Sequence, residues 1–156
     1  MFTDGERMFL LYSFSPYVLL STDDWPGLKF TSVREKAFPS DLDSDGLPLR
    51  NSINPVDYDA DHWLHIAHKV HPDKRYSFWA VLIDKQTLLP AKISDRPLLR
   101  AGASAPASTV YACSAICRAE DLFVFAGIDD CAAGTWRLAR STLDRHWTPM
   151  ASFRPC

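Results

Sequence analysis

The sequence repeats one pattern three times: a short apolar strand, a polar break and a second strand. The copies begin at Met8, Trp63 and Leu122, about 55 and about 59 residues apart, and a period in this range is typical of propeller blades. The apolar runs are rich in β-branched and aromatic side chains, which favours strands over helices. The first strands are 8–13, 63–68 and 122–127, the breaks 14–16, 69–74 and 128–130, and the second strands 17–20, 76–84 and 134–139.

Further short strands surround the three copies and predict about four strands in each repeat, the number in a propeller blade. The expected fold class is therefore all-β, a partial β-propeller of about three four-stranded blades, in a single domain over 1–156. A short helix or turn is expected near 141–147. The additional strands are expected at 29–32, 52–56, 92–94 and 109–117, and the blade-like repeats at about 1–35, 50–100 and 105–150.

Two features of this repeat leave alternatives open. The second copy also fits a helix, because Trp63, Ile66, Ala67 and Val70 form a stripe at helical spacing. In addition, three blades do not close a propeller, since closed propellers use four to eight. The sequence therefore predicts a fragment or a partial propeller that associates with itself, and the strand that starts soon after Met1 suggests missing N-terminal blades.

Composition excludes several classes of protein. The 156 residues carry a net charge of −2, which gives no electrostatic reason to bind nucleic acid or an anionic membrane. No run reaches the roughly 20 apolar residues of a transmembrane helix, and the residues before Met8 lack the basic character of a signal peptide. We expect a cytoplasmic protein whose cysteines are free, buried thiols, with Cys113 and Cys117 on one face of a strand.

The polar breaks hold the residue types that could carry chemistry. Four histidines spaced by threes resemble a metal cluster, but neighbouring ones point to opposite faces of a strand, so no metal site is predicted. Asp129 and Asp130 follow Gly127 at a strand end, where they suit either hydroxyl recognition or an ordinary hairpin turn. Five aromatic residues could stack on sugar rings or belong to the core: Trp63, Trp79, Trp136, Tyr76 and Tyr111.

Four short motifs follow one another along most of the chain. They are Tyr12-Ser13 with Pro16 ahead of Val18-Leu19, the segment 49–56, His68 with Tyr76 eight residues later, and Phe125-Ala126-Gly127 followed by Asp130 and Ala133. Their order resembles that in the C-terminal part of the five-bladed β-propeller mannoside phosphorylases and related glycosidases. The resemblance implies a propeller of the five-bladed type.

The resemblance also implies roles for individual residues. His68 and Tyr76 match positions that bind phosphate, Asp130 matches a sugar-binding acid, and Arg50 matches a residue at the mouth of the active site that contacts substrate. Inorganic phosphate would be a co-substrate, and no other cofactor is implied. No catalytic residue can be assigned, because the family's general acid lies in earlier blades and its phosphate-binding lysine has no counterpart in 1–7.

We therefore expect a carbohydrate-active propeller fragment that binds a mannose-like glycoside where its strands end. Its catalytic apparatus would be incomplete, and any activity would be that of a glycoside phosphorylase or hydrolase. The alternative is a non-catalytic accessory or interaction module of a larger glycosyl-transferring protein.

Overall fold

The structure is a computed structural model that describes residues 1–24, 26–27, 29–36, 46–100, 109–129 and 131–150. Of these described residues 59% lie in strands and 3% in a helix, so the all-β expectation is confirmed. The strands form three antiparallel sheets, none of which closes on itself. No helix in the described part of the chain is long and apolar enough to cross a membrane.

The first sheet is a meander in chain order, in which each strand pairs with the next. Its hairpin between β2 and β3 turns through 14–16 and contains a cis peptide bond before Pro16. Alternating apolar residues of β2 and β3 give the sheet two faces, as the pleat of a strand requires. The strands are β1 (Phe2–Thr3), β2 (Met8–Ser13), β3 (Tyr17–Thr22) and β4 (Thr31–Lys36).

The middle sheet has seven strands in the order β14-β9-β8-β7-β5, with β6 also paired to β7 and β10 to β8. Its two long central strands form a hairpin in continuous register from His62–Asp84 to Val70–Tyr76. The strands are β5 (Arg50–Asn51), β6 (Val56–Asp57), β7 (His62–Val70), β8 (Tyr76–Asp84), β9 (Pro90–Ser94), β10 (Leu99–Arg100) and β14 (Trp147–Pro149).

The third sheet is a meander of three strands, β11 (Val110–Arg118), β12 (Asp121–Ile128) and β13 (Ala132–Ala139). The short helix α1 (Arg140–Leu143) follows β13, as expected for this region. The chain then returns to the middle sheet, where β14 pairs with β9. The described strands number four in the first sheet, seven in the middle sheet and three in the third, whereas about four are expected in each repeat.

The middle sheet is buried on both faces. On one face Trp63, Ala67, Val81 and Ile83 pack in a core cluster with the first sheet. On the other face the alternate residues of β7 and β8 pack against the third sheet. The contact with a sheet on each side explains why β7 is buried without interruption from Trp63 to Lys69, and the helical interpretation of this segment is wrong. The residues of this second cluster include Leu64, Ile66, Phe78, Ala80, Leu82, Ala112, Ala115, Leu122 and Val124.

A bulge in β11 changes where its cysteines point. The register shifts between Ala112 and Ser114, so the residue between them breaks the alternation of faces. Cys113 is exposed, whereas Cys117 packs at the margin of the core and burial raises the pKa of its thiol to about 11. Cys131 is also exposed. The three described cysteines are free, but the prediction that they are buried on one face is wrong.

Candidate ligand-binding site at the end of the middle sheet

The end of β7 presents His68 toward the third sheet. Its neighbour on the strand three residues earlier, His65, faces the first sheet, because successive side chains of a strand point to opposite faces. His68 is 6% exposed, and its Nδ1 lies 2.8 Å from Oγ of Ser52. The imidazole is therefore held in one orientation by a hydroxyl from the segment that follows β5.

Two tyrosines lie around His68. The ring of Tyr76, at the start of β8, is centred 5.2 Å from the imidazole, and the ring of Tyr111, near the start of β11, is 5.5 Å away. The two tyrosine rings meet edge to face at 6.0 Å. Tyr111 remains 39% exposed, so this group of rings borders solvent at the junction of the middle and third sheets.

Arg50 supplies the positive charge beside this group. It lies directly across the strand ladder from His68, on β5, and its side chain is exposed. Burial, and then the charge of Arg50, lowers the pKa of His68 to about 4, although the Asn51 backbone opposes the change. At neutral pH His68 is therefore uncharged and Arg50 is the cation, so the imidazole can donate or accept a hydrogen bond while the guanidinium attracts an anion.

We call His68, Tyr76, Tyr111, Arg50 and Ser52 the His68 cluster. Three of its members, His68, Tyr76 and Arg50, are residues to which the sequence assigns binding roles, and the structure brings them together. Tyr111 was also a candidate for stacking on sugars. Ser52 was missed, and its hydrogen bond to His68 depends on β5 folding back along β7, which the sequence pattern does not show.

The acidic candidates lie beyond the start of β11. Tyr111 pairs with Gly127, so the turn after β12 lies at the same end of the third sheet as the His68 cluster. In that turn the Asp129 carboxylate accepts a hydrogen bond from the Thr109 backbone at 2.7 Å, and the Asp129 backbone donates one to the Thr109 carbonyl at 2.9 Å. Asp129 thus has the structural role of a turn residue. Asp130 lies outside the described residues.

His65 contrasts with His68 because it is sealed inside the core. It is fully buried, and its ring stacks on Phe14 with centroids 5.2 Å apart. Neither ring nitrogen has a hydrogen-bond partner of ordinary geometry among the described residues. Burial is the main reason that its pKa falls to about 3. His65 is a neutral core residue with no access to a ligand.

The other two histidines of the series have local partners. His62 contacts the carboxylate of Asp59 at 3.0 Å, and His71 lies 2.9 Å from the hydroxyl of Ser77. The four histidines therefore do not converge. Within the described ranges, no group of three His, Cys, Asp or Glu side chains is arranged to hold a metal ion.

The remaining aromatic candidates divide between core and surface roles. Trp63 is 2% exposed and packs against Phe2 and Phe9 in the core shared with the first sheet. Trp79 lies on the same face, with the Lys69 ammonium 4.8 Å from its ring centre. Trp136 lies on β13, where its ring passes close to Gly134. The structure thus leaves Tyr76 and Tyr111 as the pair beside His68.

A separate cavity of about 250 Å³ lies between the middle and third sheets, near α1. Leu98, Leu138 and Leu143 give it apolar walls, and His146 lies at its edge with Nδ1 3.1 Å from the Asp95 carboxylate. The sequence pattern did not indicate this cavity, because its lining comes from three separate stretches of the chain. It contains no member of the His68 cluster.

No family model matches the sequence, and neither the curated proteins nor the solved structures include a match to this chain. The resemblance to mannoside phosphorylases therefore remains a prediction based on the ordered motifs alone.

Proposed function

We propose that this chain is a partial β-propeller of carbohydrate-active type, and that the His68 cluster binds a mannose-like glycoside together with phosphate. The observation that carries the proposal is the convergence of His68, Tyr76 and Tyr111 with the exposed Arg50 at one sheet end. Three sheets stacked in chain order, with the middle one buried on both faces, support the propeller part of the proposal.

The chemistry of the cluster suits a polar ring with an attached or neighbouring anion. The partly exposed Tyr111 offers an aromatic face and a hydroxyl, which suits the apolar C–H face and the hydroxyl groups of a sugar. Arg50 suits phosphate because its guanidinium can make two parallel hydrogen bonds to an oxyanion. Neutral His68 can hydrogen-bond the same ligand without adding charge, and a bound anion would raise its pKa toward the ordinary value.

The proposed function is the binding of a glycoside and phosphate. Phosphorolysis would in addition require a general acid beside the His68 cluster. Cleavage of a glycosidic bond requires a general acid for the leaving oxygen. The Asp129 carboxylate accepts a hydrogen bond from the Thr109 backbone within its turn, and Asp130 lies outside the described residues. The alternative of a non-catalytic module is favoured by a different observation, the apolar residues on the outer faces of the first and third sheets.

The test is a titration of the purified chain with mannobiose and with inorganic phosphate, separately and together, followed by NMR or calorimetry. Tyr111→Ala should weaken binding of mannobiose by about tenfold or more, which is about 1.4 kcal/mol. Arg50→Gln should weaken binding of phosphate more than that of mannobiose. Arg145→Gln, at an exposed position outside the cluster, is the matched control and should bind both as the parent does.

Two results would contradict the proposal. One is the absence of any binding of either probe by the folded parent chain at millimolar concentration. The other is binding that Tyr111→Ala and Arg50→Gln leave unchanged, which would place the ligand elsewhere on the molecule. Adding Asp130→Ala to the series asks whether the acid implied by the resemblance takes part.

A further inference from the structure

The two outer sheets each carry an apolar face that no other described sheet covers. On the third sheet the outer face holds Ile116, which is 51% exposed, and Phe125, which is 36% exposed, and Phe123 lies directly across the ladder from Ile116. On the first sheet Tyr12 is 69% exposed. By strand alternation the outer face of this sheet holds the half-buried Met8, Leu10, Val18 and Leu20, and the exposed Tyr12 lies next to them at a bulge between Leu11 and Ser13.

These two faces correspond to faces that pack together inside the molecule. Counted from the start of each repeat, Phe9 and Leu11 of the first sheet occupy the same positions as Leu64 and Ile66 of the middle sheet. Both pairs face the next sheet along the chain. In the third sheet the same positions are Phe123 and Phe125, which belong to its outer face. The third sheet therefore presents the side with which each earlier sheet contacts its successor.

The first sheet presents the opposite kind of side. Its residues Met8 and Leu10 occupy the repeat positions of Leu122 and Val124, through which the third sheet packs on the middle sheet. The outer face of the first sheet thus corresponds to the side with which a sheet packs on the sheet before it in the chain. The outer face of the third sheet corresponds to the side with which a sheet packs on the sheet after it. Such a pair of unlike faces is what a head-to-tail contact between identical chains requires.

We propose that two copies of this chain associate head to tail, with the third sheet of each copy packed on the first sheet of the other. Three described sheets do not close a ring, but two copies bring six, which lies within the four to eight of closed propellers. The inference rests on the propeller architecture of the proposed function, with six sheets in place of the five blades that the resemblance implies, and it is independent of the ligand at the His68 cluster.

The area of the two outer faces fits a second copy as the occupant. With strands about 4.8 Å apart and about 3.3 Å per residue, each outer face covers about 400 Å². Two faces per copy then bury about 800 Å² on each partner, the size of a standard stable interface.

The test is the mass of the intact chain in solution, by light scattering and sedimentation over about 1 to 200 μM, a range that spans ordinary affinities of stable interfaces. The expected result is a species of twice 17.6 kDa with no larger assemblies. Tyr12→Lys on the first sheet and Phe125→Lys on the third should each raise the dissociation constant at least tenfold. Thr148→Lys, at an exposed position of β14, is the matched control and should leave it unchanged.

Mixing the two variants distinguishes head-to-tail packing from a face that pairs with its own copy. A Tyr12→Lys chain keeps an intact third sheet and a Phe125→Lys chain an intact first sheet, so the mixture should regain part of the lost dimer. If only one variant dissociates the dimer, like faces pair and the proposal is wrong. A parent chain that stays monomeric, or that forms ever longer assemblies with concentration, also overturns it. Circular dichroism checks folding, and Ile116→Lys replaces Phe125→Lys if that variant unfolds.

Discussion

His65 and His68 lie three residues apart on one strand and face opposite sides of the middle sheet. His65 faces the first sheet, where Phe14 covers it and burial keeps it neutral. His68 faces the third sheet at the strand end, where Ser52 orients it and the exposed side chains of Arg50 and Tyr111 lie beside it. A histidine on this strand is therefore not by itself a sign of a ligand-binding site. Whether a histidine of β7 can contact a ligand depends on how completely the neighbouring sheet covers that part of the β7 face.

The largest expected effect on stability comes from removing the ring that covers His65. Phe14→Ala removes a ring that is 1% exposed and stacks on His65, so it should lower the free energy of unfolding by about 3–5 kcal/mol. Tyr76→Ala, the matched change on the open side, should cost less because Tyr76 is only half-buried. Urea unfolding of both variants measures the difference. Equal losses would mean that the His68 side is as closed as the His65 side.

The next effect is a dependence of stability on pH. The folded pKa values of about 3 for His65 and about 4 for His68 lie below the ordinary value of 6.5, so between these limits the unfolded chain binds more protons. Stability should therefore fall as pH is lowered from about 6.5 toward 4, by up to about 1.4 kcal/mol per pH unit for the fully buried His65.

The variant His65→Phe isolates the sealed histidine. It keeps a ring against Phe14 and removes the titrating group, so the fall in stability below pH 6.5 should become shallower. Unfolding midpoints at pH 7.5 and pH 5 measure this slope. The control is His62→Gln, at a histidine in contact with Asp59, which should leave the contribution of His65 intact. An unchanged slope in His65→Phe would show that His65 is not the source.

A smaller effect on stability is expected from His68→Ala. The substitution removes the hydrogen bond with Ser52, which is worth about 1 kcal/mol, together with the ring contacts of the imidazole to Tyr76 and Tyr111. Binding of inorganic phosphate or mannobiose should weaken by about tenfold in the same variant. A large loss of stability with unchanged binding would reverse the contrast and make His68 a core residue.

The smallest expected effect is that of Arg50→Gln on the pKa of His68. Removing the exposed charge should raise the pKa of His68 from about 4, while burial continues to hold it below 6.5. An NMR titration of the His68 imidazole measures the change, and the pKa of His65 should stay as it is. If His68 titrates as before, the guanidinium of Arg50 does not lie close enough to act on it.

Part of this arrangement could be predicted from the sequence. The alternation of faces along β7 separates His65 from His68, and the apolar repeats locate the long strands of all three sheets. The sequence could not show which histidine is sealed, because that depends on Phe14 from another sheet. It also could not decide the role of Asp129, since a turn carboxylate and a ligand-binding one follow a strand in the same way.

Two departures from the expected repeat depend on details of strand pairing that the local sequence pattern does not contain. Strand β14 falls within the third repeat expected at about 105–150, but it pairs with β9 of the middle sheet, where Thr148 lies opposite Ile93. The bulge next to Ala112 reverses the direction of Cys113 relative to Cys117. Strand periodicity predicts which residues alternate, but neither the partner of a strand nor the place where the alternation breaks.

The return of β14 to β9 also has a consequence for how the chain acquires its structure. The whole third sheet lies between Ser94 and Trp147, the two residues that close this pairing. The middle sheet therefore cannot gain its last strand until the third sheet has been synthesised and its ends have come together. Closing such a long loop costs conformational entropy before the contacts between β14 and β9 can stabilise the chain. We therefore expect this strand pairing to form late in folding and to open first on unfolding.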